Sequence, residues 1–227
     1  MPLHGQVVAA PDGVRGFDVN QRISAPTAAA FYAYGYRFCA RYIRRKSRHD
    51  YDLTAAEAQE LLAAGLGLMV VQHVAPEGWT PTADVGREYG SVAAAESRKV
   101  GVPDGVTVWC DLEGVARGTP ARQIIDFCNR WQAEVEAAGY EPGLYVGDAA
   151  GLTPSQLYAS LRFTHYWGAY NLSIDQVPAV RGLQMKQSAR KARDKVPGFN
   201  FAFQVDLVGA DALGGRPTLL ARPGWPE

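Results

Sequence analysis

Asp111 and Glu113, in the run Trp109-Cys110-Asp111-Leu112-Glu113-Gly114, are the pair best suited to chemistry. On an extended strand, residues two apart share a face, and the strand rise puts their Cα atoms roughly 6–7 Å apart. Two carboxyls that close raise one of their pKa values, so one group stays protonated as an acid while the other ionises. Glycoside hydrolysis needs this division of labour: one proton donor, and negative charge beside an oxocarbenium-like transition state. A solvated strand end, or an ion pair with Arg41, is the alternative for the same motif.

Positioning such a pair takes a rigid frame, and the alternation of elements supplies one. Eight runs rich in β-branched and aromatic residues stand at 16–19, 36–43, 68–74, 106–111, 143–146, 165–170, 183–187 and 201–206. Helical segments separate the early runs. One spans 26–34; Thr54 with Glu57 caps a second, ended by Gly65; Thr82 opens a third that runs to Gly101. Thr119-Pro120 opens a fourth carrying Ile124, Phe127, Cys128, Trp131 and Val135 on one face, and Thr153-Pro154 opens a short fifth. Trp131 is therefore assigned to the core. The last two strand-to-strand intervals leave little room for a crossover helix. The expected fold is α/β: a TIM-like barrel of eight strands, five β/α repeats followed by three strands with irregular connections. An open doubly wound sheet is the weaker alternative, because no Gly-x-Gly-x-x-Gly or Walker-type loop follows any strand.

In such barrels the site is built at the C-terminal strand ends. There lie Asp18, Arg41, Tyr42, Gln72, His73, Asp111 with Glu113, Tyr145, Trp167, Tyr170, Gln187 and Asp206. First and last strands adjoin in a closed barrel, so Asp18, Asp111, Glu113 and Asp206 are expected to ring one mouth as the catalytic carboxyls. Tyr42, Tyr145, Trp167 and Tyr170 suit stacking on sugar rings, with Arg41, Gln72, His73 and Gln187 as polar substrate contacts. His165 begins its strand and belongs to the opposite end. No pair of histidines has metal-ligand spacing, and neither metal nor cofactor is expected.

The ordered set Gly16-Phe17-Asp18-Val19-Asn20-Gln21, Asp111-Leu112-Glu113, Gly143-Leu144-Tyr145-Val146-Gly147, Trp167-Gly168-Ala169-Tyr170 and Gln204-Val205-Asp206 resembles the strand motifs of family 25 glycoside hydrolases, the Chalaropsis-type lysozymes. It more closely resembles a related glycoside-hydrolase-like domain family found in actinobacterial secreted proteins and phage lysins, over about residues 14 to 212. The resemblance implies a lysozyme-like N-acetylmuramidase in which Glu113 is the general acid. Asp111 would orient the substrate's own N-acetyl group or position a water, and Asp18 and Asp206 would fix the sugar. The lysozymes usually carry Ser where this chain has Asn20.

The chain has 227 residues, 47% hydrophobic, with 23 basic and 23 acidic side chains. One domain with a sizeable core follows, and disorder is excluded. The zero balance argues against a general nucleic-acid or membrane-surface binder. Nine of the 23 basic residues lie in two loops, Arg44, Arg45, Lys46 and Arg48, then Lys186, Arg190, Lys191, Arg193 and Lys195. They are read as a basic rim that steers an anionic polymer toward an acidic cleft. Cys39, Cys110 and Cys128 are read as buried free thiols. No signal peptide is visible and no apolar run is long enough to cross a bilayer. The expectation is a monomer acting on bacterial cell-wall glycan, made in the cytoplasm and delivered by a holin-type or secretion-system route. A wall-binding barrel without catalysis, and a hydrolase of another N-acetylhexosamine polymer such as chitin, are the rival readings.

Overall fold

Ser24, Thr54, Thr82 and Thr153 each sit in extended backbone and accept a hydrogen bond from the N–H three residues on, which starts four helices. These are α1 (Ala25–Ala33), α2 (Ala55–Ala63), α3 (Ala83–Val100) and α5 (Pro154–Ala159). Helix α4 (Ala121–Ala137) starts differently from expectation: Pro120 is its N-cap, and the Thr119 hydroxyl donates to the Ala116 carbonyl instead. The computed structural model describes residues 2–189 and 195–226, so the basic positions Arg190, Lys191 and Arg193 lie outside the described residues.

The strands between these helices are β2 (Arg15–Val19), β3 (Phe38–Ile43), β4 (Gly67–Gln72), β5 (Thr107–Leu112), β6 (Glu141–Val146), β7 (His165–Gly168), β8 (Met185–Ser188) and β9 (Gln204–Val208). Strands β2 to β8 pair side by side in parallel, and β4 pairs with β5. β9 closes the barrel between β8 and β2. Five β/α repeats are thus followed by three strands with irregular connections, the α/β barrel expected from the spacing.

Two departures matter. β9 is antiparallel to both neighbours, pairing Asp18 with Gln204 and Gly16 with Asp206. The strand therefore descends from the mouth, and Asp206 lies within it, two residues deeper than Gln204, rather than at a strand end. Two short strands outside the expected core, β1 (Gln6–Ala9) and β10 (Thr218–Ala221), form an antiparallel ribbon that joins β4 at Leu68, the end away from the mouth.

Large rings fill the barrel interior. Trp109 stacks edge-on against Trp167 with centroids 5.6 Å apart, and Trp167 against Tyr145 at 4.7 Å. The Trp109 ring lies so close over Gly143 that a Cβ there would collide with it. Outside the barrel, Phe17 stacks on Phe31 of α1, and Trp131 of α4 is fully enclosed and donates to the Gln72 side chain at 2.9 Å. Cys39, Cys110 and Cys128 are buried and free. His165, at the start of β7, contacts Glu141 at 3.0 Å and the Arg216 carbonyl at 2.8 Å, remote from the mouth.

Candidate active site

Strand alternation decides which polar residue at each strand end enters the barrel. Asp18, Tyr42, His73, Asp111, Glu113, Tyr145, Trp167, Gln187 and Asp206 share the inward phase. Tyr42 donates its hydroxyl to Asp18 Oδ1 at 3.2 Å, and Gln187 Nε2 donates to Asp18 Oδ2 at 2.8 Å. Tyr145 in turn donates to Gln187 Oε1 at 3.1 Å, so one chain of hydrogen bonds runs from β6 through β8 to β2. Trp167 Nε1 donates to Asp206 Oδ1 at 2.9 Å, which makes the tryptophan part of the floor rather than an open stacking surface.

The carboxyls sit close enough to perturb one another. Burial pushes Asp18 up to about 6 against the opposing hydrogen bonds of Gln187 and Tyr42. Burial, and then the charge of Asp18, pushes Asp206 well above the ordinary carboxylate range. Asp206 Oδ2 is buried with no hydrogen-bond partner among the described residues, and the Asp206 carboxyl lies against that of Asp18. A hydrogen bond between the two carboxyls therefore requires a proton on one of them. Burial and the neighbouring Glu113 push Asp111 well up, and its Oδ1 is buried with no hydrogen-bond partner among the described residues. Glu113 is half-buried and raised by burial and by Asp148.

These shifts set a pH dependence. A carboxyl whose pKa is raised on folding binds its proton more tightly in the native chain. Its contribution is fully present below the unfolded value and is lost as pH rises through the folded one, for Asp18 about 6. Asp206→Asn supplies an N–H donor toward Asp18 and removes one charge. The variant is expected to melt higher than wild type at pH 7, by about 2–4 °C for each kcal/mol gained, with a smaller difference at pH 5. Thermal melts at both values check this; a variant that melts below wild type at pH 7 refutes the shared proton.

Two hollows open at the mouth among the described residues. One, about 180 Å³, is lined by Asp18, Asn20, Tyr42, Phe203 and Gln204. The other, about 310 Å³, is lined by Glu113, Glu77, Asp148 and Val74. Loops stitched together around Glu113 form the second. Trp79 Nε1 donates to the Glu113 carbonyl at 2.8 Å, Gly78 N–H to the Gly114 carbonyl at 2.8 Å, and Gly114 N–H to the Asp148 carbonyl at 2.9 Å. Gly114 turns the chain there at φ +61°, which a side chain resists. Gly147 packs flush against the Glu113 side chain, and a Cβ there would strike its carboxyl and Cβ. Gly147→Ala is expected to displace Glu113 and lower turnover on a glycan substrate by about 10–100-fold. It should lower the melting temperature as well, because the Glu113 Cβ is fixed to the backbone and cannot swing aside. Unchanged turnover would mean that Glu113 need not occupy this position.

Several sequence expectations are corrected. Arg41 does not contact the mouth: it is fully buried on the outer face of β3, with Nε 2.8 Å from Glu57 of α2 and Nη1 donating to the Val19 carbonyl at 2.7 Å. That also removes Arg41 as an ion-pair partner of Asp111 and Glu113. Gln72 likewise faces the helices, donating to the Tyr89 carbonyl at 2.8 Å. His73 reaches the mouth beside Tyr42, but its Nε2 is held 2.7 Å from Asp52, and burial lowers its pKa against the pull of that carboxylate. Tyr170 lies beyond the end of β7 and is 51% exposed. The first basic loop folds back instead of forming a rim: Arg44 and Arg48 pair with Glu96 of α3, and Arg45 with Tyr89 and the Val74 carbonyl. Among the described residues no three His, Cys, Asp or Glu side chains converge as a metal site. No described helix is long and apolar enough to cross a membrane.

Sequence reasoning missed Asp148, two residues past the end of β6, and Asp52 and Glu77 in loops. Asp148 stands just beyond a strand end, where inward-facing polar residues gather, whereas nothing local marks the other two.

The model of the Rv2525c-like, glycoside hydrolase-like domain family matches residues 29–193. The chain belongs to this family. The span matched to the Rv2525c-like domain carries Asp111 and Glu113, whereas Asp18 and Asp206 lie outside it and join them through barrel closure. Among solved structures, the fold is similar to the Mycobacterium tuberculosis Tat-secreted protein Rv2525c at 15% identity, covering 87% of this chain and 96% of that one with a TM-score of 0.64. It is also similar to a bacterial lysozyme from Streptomyces coelicolor, at 16% identity, 90% and 95% coverage and a TM-score of 0.62. The catalytic domain of endolysin ply40 from bacteriophage P40 of Listeria monocytogenes matches at 14% identity, 88% and 94% coverage and a TM-score of 0.63. At these identities the likeness is one of fold. No curated protein matches the chain in sequence.

Proposed function

We propose that this member of the glycoside hydrolase-like family is a lysozyme-like hydrolase of the N-acetylhexosamine linkages in bacterial peptidoglycan. The observation that carries the reading is the division between two carboxyls on one strand face. Glu113 is half-buried, raised in pKa and open to the mouth, as a proton donor to a glycosidic oxygen must be. Asp111, two residues below, is buried with an unpartnered Oδ1. An N-acetyl amide N–H would donate to that oxygen and so orient the acetamido carbonyl oxygen. That oxygen bonds to the anomeric carbon as the glycosidic bond breaks and Glu113 protonates the leaving oxygen, a route that dispenses with a protein nucleophile. Asp18, fixed by Tyr42 and Gln187, shares one proton with Asp206, and the single negative charge the pair keeps would lie beneath the developing oxocarbenium charge.

The test is release of new reducing ends from purified peptidoglycan, with mass spectrometry of the soluble products to identify the bond cut. Muropeptides ending in reducing N-acetylmuramic acid support the reading. Retention of the protein on insoluble glycan without soluble product would instead favour a binding barrel, and cleavage of chitin alone would move the substrate class.

A further inference from the structure

A second concave site lies on the outer wall of the barrel, away from the carboxyls. On α4, Arg122, Asp126, Asn129, Arg130 and Ala133 follow one another at helical spacing and form one stripe, about 16 Å long by the helical rise. Arg162, from the segment after α5, completes a hollow of about 260 Å³ over that stripe. Asn129 builds the juxtaposition: its Nδ2 donates to the Ser160 carbonyl and its Oδ1 accepts from Arg162 N–H, both at 2.9 Å. This clamp holds the turn against α4 and brings Arg162 to the same hollow as Arg130.

Three guanidinium groups thus share one hollow with a single carboxylate. Asp126 is taken by Arg122 at 3.0 Å, and among the described residues Arg130 and Arg162 have no carboxylate within ion-pair distance. Collecting like charges around a concavity is unfavourable unless an anion compensates them, and the planar guanidinium fork matches phosphate oxygens two at a time. The lining has no aromatic ring on which a nucleobase could stack, which disfavours single-stranded nucleic acid.

We propose that this hollow binds the phosphate groups of a non-aromatic, phosphodiester-linked polymer; placing that polymer in the bacterial wall rests on the proposed function, whereas the anion site does not. Bound there, the polymer would hold the protein on its substrate matrix without occupying the mouth.

The experiment titrates poly(glycerol phosphate), and separately a single-stranded oligonucleotide of equal charge, into the full chain. Wild type is compared with R130Q/R162Q and with R22Q/K46Q, which removes two exposed charges elsewhere. The expected result is saturable polymer binding that weakens about ten-fold or more in R130Q/R162Q and stays within about two-fold of wild type in R22Q/K46Q. No saturable binding, equal weakening in both double variants, or tighter binding of the oligonucleotide overturns the proposal. Glycan freed of phosphate polymer separates the two readings, because there wild type and R130Q/R162Q should release reducing ends equally. If that glycan is not cut while R130Q/R162Q still loses polymer binding, the anion site stands and the hydrolase reading falls. If the glycan is cut and polymer does not bind, the reverse holds.

Discussion

Replacing Glu113 with glutamine is expected to reduce release of reducing ends from peptidoglycan by about 10²- to 10⁴-fold, the usual loss when a general acid is removed. The substitution keeps the side chain's shape against Gly147 and leaves the Trp79 hydrogen bond, which goes to the Glu113 carbonyl, untouched. Folding should therefore be preserved. At neutral pH the variant should be no less stable, because burial and Asp148 already disfavour the ionised carboxyl. The pH profile supplies a check that lost folding cannot imitate. Wild-type activity should fall on the alkaline side as Glu113 ionises, at a pH above the ordinary glutamate value, and the residual activity of the variant should lack that limb. A variant with wild-type rates would remove Glu113 from the chemistry, and an unchanged limb would assign the titration to another group.

The largest expected effect on stability comes from Arg41→Ala. Arg41 and Glu57 are both fully enclosed, and besides their ion pair Arg41 donates to the Val19 and Tyr51 carbonyls while Glu57 accepts from the Ile23 N–H. Removing the guanidinium leaves a buried carboxylate without its counter-charge and two carbonyls without donors, a loss of about 3–5 kcal/mol. For a chain of this size that corresponds to roughly 6–20 °C in melting temperature. Replacing both partners with apolar side chains of similar volume should recover most of the loss, because the penalty comes from the unpaired charge. Melts of the single and double variants decide the matter; a single variant within a few degrees of wild type would show that the pair is not needed. The residue also ties the end of β2 to β3 and to the following loop, the segments that carry Asp18 and Tyr42. Weaker substrate binding should therefore accompany the lost stability.

Arg41 also marks the limit of what could be read from the chain. Strand, helix and cap positions were legible because they rest on local chemistry, such as Thr54, Thr82 and Thr153 accepting from the N–H three residues on. Asp111 and Glu113 were legible because a spacing of two fixes a common face whatever the rest of the fold does. Arg41 beside Tyr42, and Gln72 beside His73, were not separable in this way. Their strands are buried on both faces, so no alternation of polar and apolar residues reveals which one points inward.

Sequence by itself thus determined the number of strands around the barrel, the helices between them and the acid pair on one face, all products of short-range geometry. Tertiary structure alone decided that β9 runs antiparallel and carries Asp206 beneath Asp18. It alone turned Arg41 toward Glu57, drew the first basic loop down onto Glu96, and set Arg162 facing Arg130. Each of these depends on partners far apart in the chain, and a charge acquires its role from the partner that burial forces upon it.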